Sequence, residues 1–269
     1  MAELLDHPVF MRLRAKIEGN MVKDEGGQPQ VSFVVPCYNE SAHLSDTVSE
    51  IETAVREANL LRHEIIVVDD RSTDNTLAIA NQLAALNLNI VVITNPKNLG
   101  FGGAYKAGLK QARGVYVTMI PGDNAYPSNN ISSLLHKADA ADIIIPYVEN
   151  PEARSFSRQI ISRAFVHVVN FVFGLSVPQY NGAVMYKTDL VRSIEIKTDG
   201  FFFQAEAIIR LLSAGANYTT ASVRIVERKH AATTAFRPKN IYRVVKSIVA
   251  LWYELRVRPK FATVFRPSL

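Results

Sequence analysis

Cysteine is nearly absent from this chain, long apolar runs are absent, and residues 237–269 carry almost no acid. A single cysteine, Cys37, in 269 residues excludes an internal disulfide and a thiolate metal cluster. A reducing compartment is therefore expected, which places the chain in the cytoplasm. The most apolar stretch, AFVHVVNFVFGLSVP (164–178), is interrupted by His167 and Asn170. It falls short of the ~20 apolar residues a membrane span needs. The opening MAELLDHPVFMRLRAKIEGN has acids early and no long apolar core, so it does not read as a signal peptide. No internal repeat or low-complexity segment stands out.

Charge is distributed unevenly. The formal net charge is +5, yet residues 237–269 hold 8 Lys/Arg against one acid, Glu254, for +7. The remainder holds 22 basic and 24 acidic residues, for −2. A near-neutral body with a basic tail predicts a polyanionic partner. The tail has no recognisable nucleic-acid module, so an anionic membrane surface is the expected partner and nucleic acid is not.

What is present is a regular alternation. After a helical pattern at 3–18 and the polar linker KDEGGQPQ, short continuous apolar runs recur at 31–35, 64–70, 89–94, 115–120 and 142–146. Helical patterns separate them at 43–58, 75–86, 102–112 and 128–137, with Ser72 and Asp74 as candidate caps of the second. Continuous apolar runs are the signature of buried parallel strands. Short connections with helices between them imply an α/β fold, a mostly parallel Rossmann-like sheet covered on both faces. Beyond residue 146 the pattern changes to a long helix at 154–173, strands at 182–186 and 218–226, a helix at 202–213 and another at 239–255. Three regions are expected: an extension over 1–30, one α/β domain over 31–235, and a basic amphipathic tail over 236–269.

Open parallel sheets bind ligands beyond the carboxyl ends of their strands. There the sequence places Pro36, Tyr38, Asn39 and Glu40 after the first strand, Asp69 and Asp70 after the second, and Asp123 after the fourth. The segment NLGFGGAYKAG (98–108) approaches a dinucleotide fingerprint but has Tyr105 where the third glycine belongs. Its glycines, Gly100 first, still permit close backbone approach to a ligand.

VVPCYNE, VVDDRSTDNT, NPKNLGFGGAYKAGLKQARG and PGDNAYP, in this order and spacing, resemble inverting family 2 glycosyltransferases of the GT-A fold. RSFSRQIISRAFVHVVNFVFGLSVPQYNGAVMYKTDLV and DGFFFQAEAIIRLLSAGANYTTASVRIVERKHAATTA narrow this to a branch. They resemble dolichol-phosphate mannose synthases and bacterial polyprenyl-phosphate glycosyltransferases. The resemblance implies a UDP- or GDP-linked sugar as donor and a polyprenyl phosphate as acceptor. It implies donor contacts from Pro36, Tyr38, Glu40, Asp69, Asp70, Gly100 and Asp123. It also implies a Mg²⁺ or Mn²⁺ ion at Asp123, which matches the second acid of an Asp-x-Asp motif. The first acid is replaced by Pro121, and Ala125 stands where a metal-contacting glutamine is usual. The donor diphosphate would then supply much of the metal shell.

The remaining roles implied are cationic. Arg228 matches an Arg-x-x-Gly-x-Ser loop facing the leaving group, with Ala231 and Thr233 replacing its glycine and serine. Arg154, Arg158 and Lys229 are candidate clamps for the acceptor phosphate. Pro146-Tyr147 and Gln179 depart from the usual arginine and aspartate of the family. Glu206 matches an acid near the acceptor, either a base for a hydroxyl acceptor or a structural partner for an arginine. A hydroxyl-directed transferase and a donor-binding pseudoenzyme are the alternatives to lipid-phosphate transfer. In the tail, Ile241, Val244, Val245, Ile248, Val249, Trp252 and Leu255 form one helical stripe with Arg243 and Lys246 off it. Such a stripe lies at a membrane interface or packs on the domain.

Overall fold

The computed structural model describes residues 29–225 and 238–257. The expected helix at 3–18 and the calls on Arg228 and Lys229 lie outside the described residues. Seven strands form one sheet: β1 (Val31–Cys37), β2 (His63–Asp69), β3 (Ile90–Thr94), β4 (Tyr116–Met119), β5 (Ile143–Val148), β6 (Met185–Lys187) and β7 (Tyr218–Val223). Their spatial order is β3-β2-β1-β4-β6-β5-β7. The connecting helices are α1 (Leu44–Glu57), α2 (Thr76–Leu86), α3 (Gly100–Gln111), α4 (Ser128–Leu135), α5 (Phe156–Phe173), α6 (Thr188–Ser193), α7 (Phe203–Ser213) and α8 (Pro238–Arg256).

Alternation along the strands builds two cores. In β1, Val31, Phe33 and Val35 pack with Leu44, Val48 and Ile51 of α1 and with Ile131 and Leu134 of α4. Val34 points the other way, into a cluster with Tyr105 of α3, Val169 and Phe173 of α5, and Ile208 and Leu211 of α7. Successive side chains of a strand face opposite sides, so a run apolar at every position demands helices on both. α3 lies close against the sheet because Gly108 offers no side chain. A Cβ there would collide with Val34 Cγ1 and would meet Val68 Cγ2 at 3.0 Å.

Two features differ from the sequence reading. β6 runs antiparallel between β4 and β5 and starts at Met185, while the short helix α6 follows it directly. The tail stripe divides. Its members Ile248 and Leu255 are buried in the core, beside Leu251, which was not part of the stripe and is 3% exposed, whereas Ile241, Val245, Val249 and Trp252 face outward. The inward side of α8 thus packs on the domain, one of the two uses expected of the stripe. The helix is pinned from its inner side: Glu254 accepts from Arg210 Nη1 at 3.1 Å and from Lys197 Nζ at 3.0 Å. Arg256 Nη2 donates to Phe173 O at the end of α5 at 2.9 Å.

Candidate active site

The loops after β1 and β2 are laced together. Asn39, at φ +58°, accepts the Thr73 N–H at 2.8 Å and donates its own N–H to Ser72 Oγ at 3.1 Å. The Glu40 N–H donates to Thr76 Oγ1 at 2.8 Å. Asp74 accepts the N–H groups of Thr76 at 2.9 Å and Ser41 at 3.2 Å, which makes it the organiser of the α2 start. These bonds set where Tyr38 and Glu40 stand. Asp70 reaches the third loop, accepting from Asn95 Nδ2 at 2.7 Å, Leu99 N at 2.9 Å and Gly100 N at 2.8 Å. A carboxylate at the first turn of α3 satisfies orphan amides and complements the helix dipole. Gly100 takes φ +74°, a conformation side chains disfavour.

The turn after β4 is fixed from α1. Thr47 Oγ1 donates to Gly122 O at 3.0 Å and accepts the Asn124 N–H at 2.9 Å. Asp123 then accepts the Ala125 N–H on Oδ1 at 3.1 Å. A Cβ on Gly122 would lie 2.5 Å from Cys37 Sγ, so only glycine lets this turn close over the end of β1.

These three strand ends frame a cleft of about 510 Å³. Its lining includes Pro36, Tyr38, Glu40, Asp70, Gly100 and Asp123 from the expected donor set. Asp69 is not part of that lining: it is 1% exposed and accepts the Ser72 N–H at 3.3 Å. Asn98, Phe101 and Phe201 line the cleft without having been foreseen. The signal for Phe201 was the run FFF at 201–203, where Phe202 and Phe203 are buried and Phe201 is not. The Gly102 N–H donates to Asp199 O at 3.2 Å and draws this loop to the cleft.

The cleft is acidic. Glu40, Asp70 and Asp123 line it, and among the described residues no Lys, Arg or His does. Cys37 at its floor reports the field: burial pushes its thiol well above the ordinary range, and the carboxylates of Glu40, Asp69, Asp123 and Asp74 push it further.

Arg154 opens into a second cavity of about 760 Å³ beneath α5, with Tyr147, Arg163, His167 and Gln179. Tyr126 is within electrostatic reach of both Arg154 and Asp123. Burial raises its phenol to about 12; the Arg154 guanidinium opposes that rise and the Asp123 carboxylate adds to it. Arg154 is itself lowered by burial and by its neighbour Arg158, which is exposed. Glu206 is elsewhere. It is 2% exposed, accepts the N–H groups of Lys197 at 3.1 Å and Thr198 at 2.9 Å, and pairs with Arg210 at 2.8 Å. This arrangement corrects the reading of Glu206 as a base and fits its reading as a structural partner for an arginine.

The Glycosyl transferase family 2 model matches residues 32–191. The chain belongs to glycosyl transferase family 2. Within this family it is similar to the undecaprenyl-phosphate mannosyltransferase of Micrococcus luteus, 28% identical over 211 residues, covering 74% of this chain and 85% of that one. It is also similar to the dolichol-phosphate mannosyltransferase of Pyrococcus furiosus, 28% identical over 193 residues, covering 67% of this chain and 53% of that one. This family 2 chain shares its fold with glucosyl-3-phosphoglycerate synthase from Mycobacterium tuberculosis in complex with UDP. The TM-score is 0.59 at 17% identity, covering 91% of this chain and 83% of the other. S. aureus TarS in complex with UDP-GlcNAc has a TM-score of 0.57 at 19% identity, covering 82% and 66%. These neighbours make the sheet and its helices a GT-A fold.

Proposed function

We propose that this family 2 chain moves a sugar from a nucleoside diphosphate to a polyprenyl phosphate, with inversion, at an anionic membrane surface. The observation that carries this is the pairing of an acid-lined cleft with an acid-free cavity at Arg154. A diphosphate entering a cleft of three carboxylates is repelled unless a cation accompanies it. Among the described residues no group of three His, Cys, Asp or Glu could hold a metal ion by itself. The oxygen donors of Asp123 suit Mg²⁺ or Mn²⁺, which accept one or two carboxylates plus substrate phosphates. When bound, the ion supplies positive charge to the departing diphosphate. A neighbour of this fold is a complex with Mn²⁺ and UDP, which supports a uridine donor.

In this reading Asp123 holds the metal–diphosphate end of the donor. Tyr38 and Phe201, both half-exposed in the cleft, contact the nucleotide or sugar. Asp70 acts by holding the Leu99 and Gly100 amides in place rather than through a free oxygen. The acceptor's phosphate oxygen is already anionic and needs no base; alignment on the anomeric carbon is the main requirement. It forms the new C–O bond as the bond to the diphosphate breaks. Arg154 aligns that phosphate, with Arg158 beside it. Arg228 and Lys229 would add charge from the segment after β7.

The surface supports a membrane seat. Phe156, Ile160, Ala164, Val168 and Phe171 recur at helical spacing along the outer side of α5, with Phe156 at 76% and Phe171 at 90% exposure. α5 packs with α8, whose outward Ile241, Val245, Val249 and Trp252 extend the apolar face beside Arg243 and Lys246. No helix among the described residues is long and apolar enough to cross a membrane, so these helices would lie in the interface on its cytoplasmic side.

The test is transfer by the full chain from labelled UDP- or GDP-sugars to polyprenyl phosphate, compared with hydroxyl acceptors. Label extracted with the lipid is expected. Label on a hydroxyl acceptor alone overturns the lipid reading, and donor binding without transfer to any acceptor overturns the enzyme.

A further inference from the structure

The turn after β4 carries a single acid, so the placing of that turn decides where the acid stands. Its upstream half is held by β1 and α1. The Ile120 N–H donates to Val34 O at 2.9 Å, the Gly122 N–H donates to Pro36 O at 3.2 Å, and Thr47 Oγ1 bridges Gly122 and Asn124. The downstream half leads to Tyr126, three residues past Asp123. β6 runs antiparallel to β4 with Met185 opposite Thr118, so residues 181–183, which lead into β6, stand beside the turn that leaves β4. There the Tyr126 hydroxyl accepts a hydrogen bond from the Ala183 N–H. Gly182 closes on the same oxygen. It has φ +129°, and a Cβ on it would stand 3.2 Å from Tyr126 Oη and 2.8 Å from Pro146 Cγ. Gln204, in the first turn of α7 and 6% exposed, grips this glycine. Its amide oxygen accepts the Gly182 N–H at 3.1 Å, and its amide nitrogen donates to Gly182 O. A buried amide with both ends on the backbone of one residue fixes that residue in place. A continuous line of contacts thus runs from Gln204 through Gly182 and Ala183 to Tyr126 and the Asp123 turn.

We propose that Tyr126 and Gln204 are positioning residues for sugar transfer: through Gly182 they hold the Asp123 turn where its carboxylate meets the metal–diphosphate end of the donor. This rests on the reading of Asp123 as the metal-bearing acid. The turn holds no second acid, so a shift of Asp123 is not taken up by another carboxylate of the same turn. Neither Tyr126 nor Gln204 lines the acidic cleft, so both act on the donor indirectly. Groups behind a metal ligand orient it, and their loss typically costs 10- to 100-fold in metal affinity or activity.

The experiment is calorimetric titration of the full chain with UDP at saturating Mn²⁺ and with uridine, for the parent, Tyr126→Phe, Gln204→Met and the double variant. Burial raises the Tyr126 phenol to about 12 and so keeps it neutral; Tyr126→Phe removes a hydrogen bond but no charge, and keeps the ring. Gln204→Met keeps the volume and removes both bonds to Gly182. UDP with Mn²⁺ should weaken by roughly 3- to 10-fold in Tyr126→Phe, the effect of one hydrogen bond. It should weaken by roughly 10- to 100-fold in Gln204→Met. The double variant should match Gln204→Met, because two changes on one line of contacts do not add. Uridine, which carries no diphosphate, should bind every variant as it binds the parent. A lower melting temperature with unchanged UDP affinity makes the contacts merely structural and overturns the proposal. Uridine weakened as much as UDP, or losses that multiply in the double variant, overturns it too. Should Gln204→Met fail to fold, Tyr126→Phe decides alone, by the same contrast of UDP with uridine. If Mn²⁺ adds nothing to UDP binding in the parent, the reading of Asp123 falls and takes the proposal with it. Mn²⁺-dependent binding that neither variant weakens removes the proposal alone.

Discussion

The two cavities are built with opposite charge. The cleft at the ends of β1, β2 and β4 has carboxylates and no described cation, while the cavity under α5 has cations and no carboxylate. Both are assigned phosphate-bearing ligands here, yet only one can take such a ligand directly. Under the proposed function the acidic cleft would bind a diphosphate only together with a cation, which would couple donor binding to the metal. The basic cavity needs no such partner. On that reading one sheet would sort two anionic substrates by whether a metal comes with them.

The largest expected effect tests the acidic side. Asp123→Ala should lower metal-dependent turnover by ~10²- to 10³-fold, the scale seen when one group that stabilises developing charge is removed. Binding of farnesyl phosphate should not change. Loss at both cavities would break the division between them.

Next comes a change at neither cavity. Glu206→Ala leaves Arg210 without one of its two carboxylates and frees the amides of Lys197 and Thr198. Removing one member of a buried pair costs ~3–5 kcal/mol, visible as a lower melting temperature. Stability unchanged with turnover abolished would restore Glu206 as a base.

Gly122→Ala sharpens the acidic side again. Its Cβ would crowd Cys37 Sγ, and overpacking of this kind costs ~1–3 kcal/mol. The turn that presents Asp123 should shift, raising the Mn²⁺ requirement more than it lowers stability. On the basic side, Phe171→Glu should weaken sedimentation with anionic vesicles by roughly tenfold, since burying a Phe is worth ~1.5–3 kcal/mol. UDP binding should be unaffected.

The smallest effect concerns pH. Hydrogen bonding from Arg210 and then Lys197 lowers Glu254 to about 2, from an ordinary 4.5. A depressed carboxylate stabilises the fold above its unfolded value and loses that contribution as the pH falls. Docking of α8 should therefore hold above pH 4.5 and loosen between 4.5 and 2, followed by Trp252 fluorescence.

Much of this was legible in the sequence. The five apolar runs gave β1 to β5 within a few residues, because strands buried on both faces leave no polar phase to confuse them. The antiparallel course of β6 was not legible, since GAVMY reads the same in either direction. Asp69 and Asp70 are adjacent and identical in kind, and only the loops they meet separate a buried acceptor from a cleft residue. Glu206 carried two meanings until Arg210 and Glu254 were seen to share one network. The α8 stripe read as one face because periodicity records which residues are apolar, not how far a neighbour reaches around the helix. His167 passed as a polar break in an apolar run, since nothing local says that it shares a cavity with Arg154.

The most direct test is the affinity of the full chain for UDP with and without Mn²⁺, in the parent and in Asp123→Ala, by titration calorimetry. Binding that needs the ion in the parent, and that is lost or independent of the ion in the variant, is the predicted result. Equal affinity in all four conditions would contradict a cleft that accepts its donor only through a cation at Asp123.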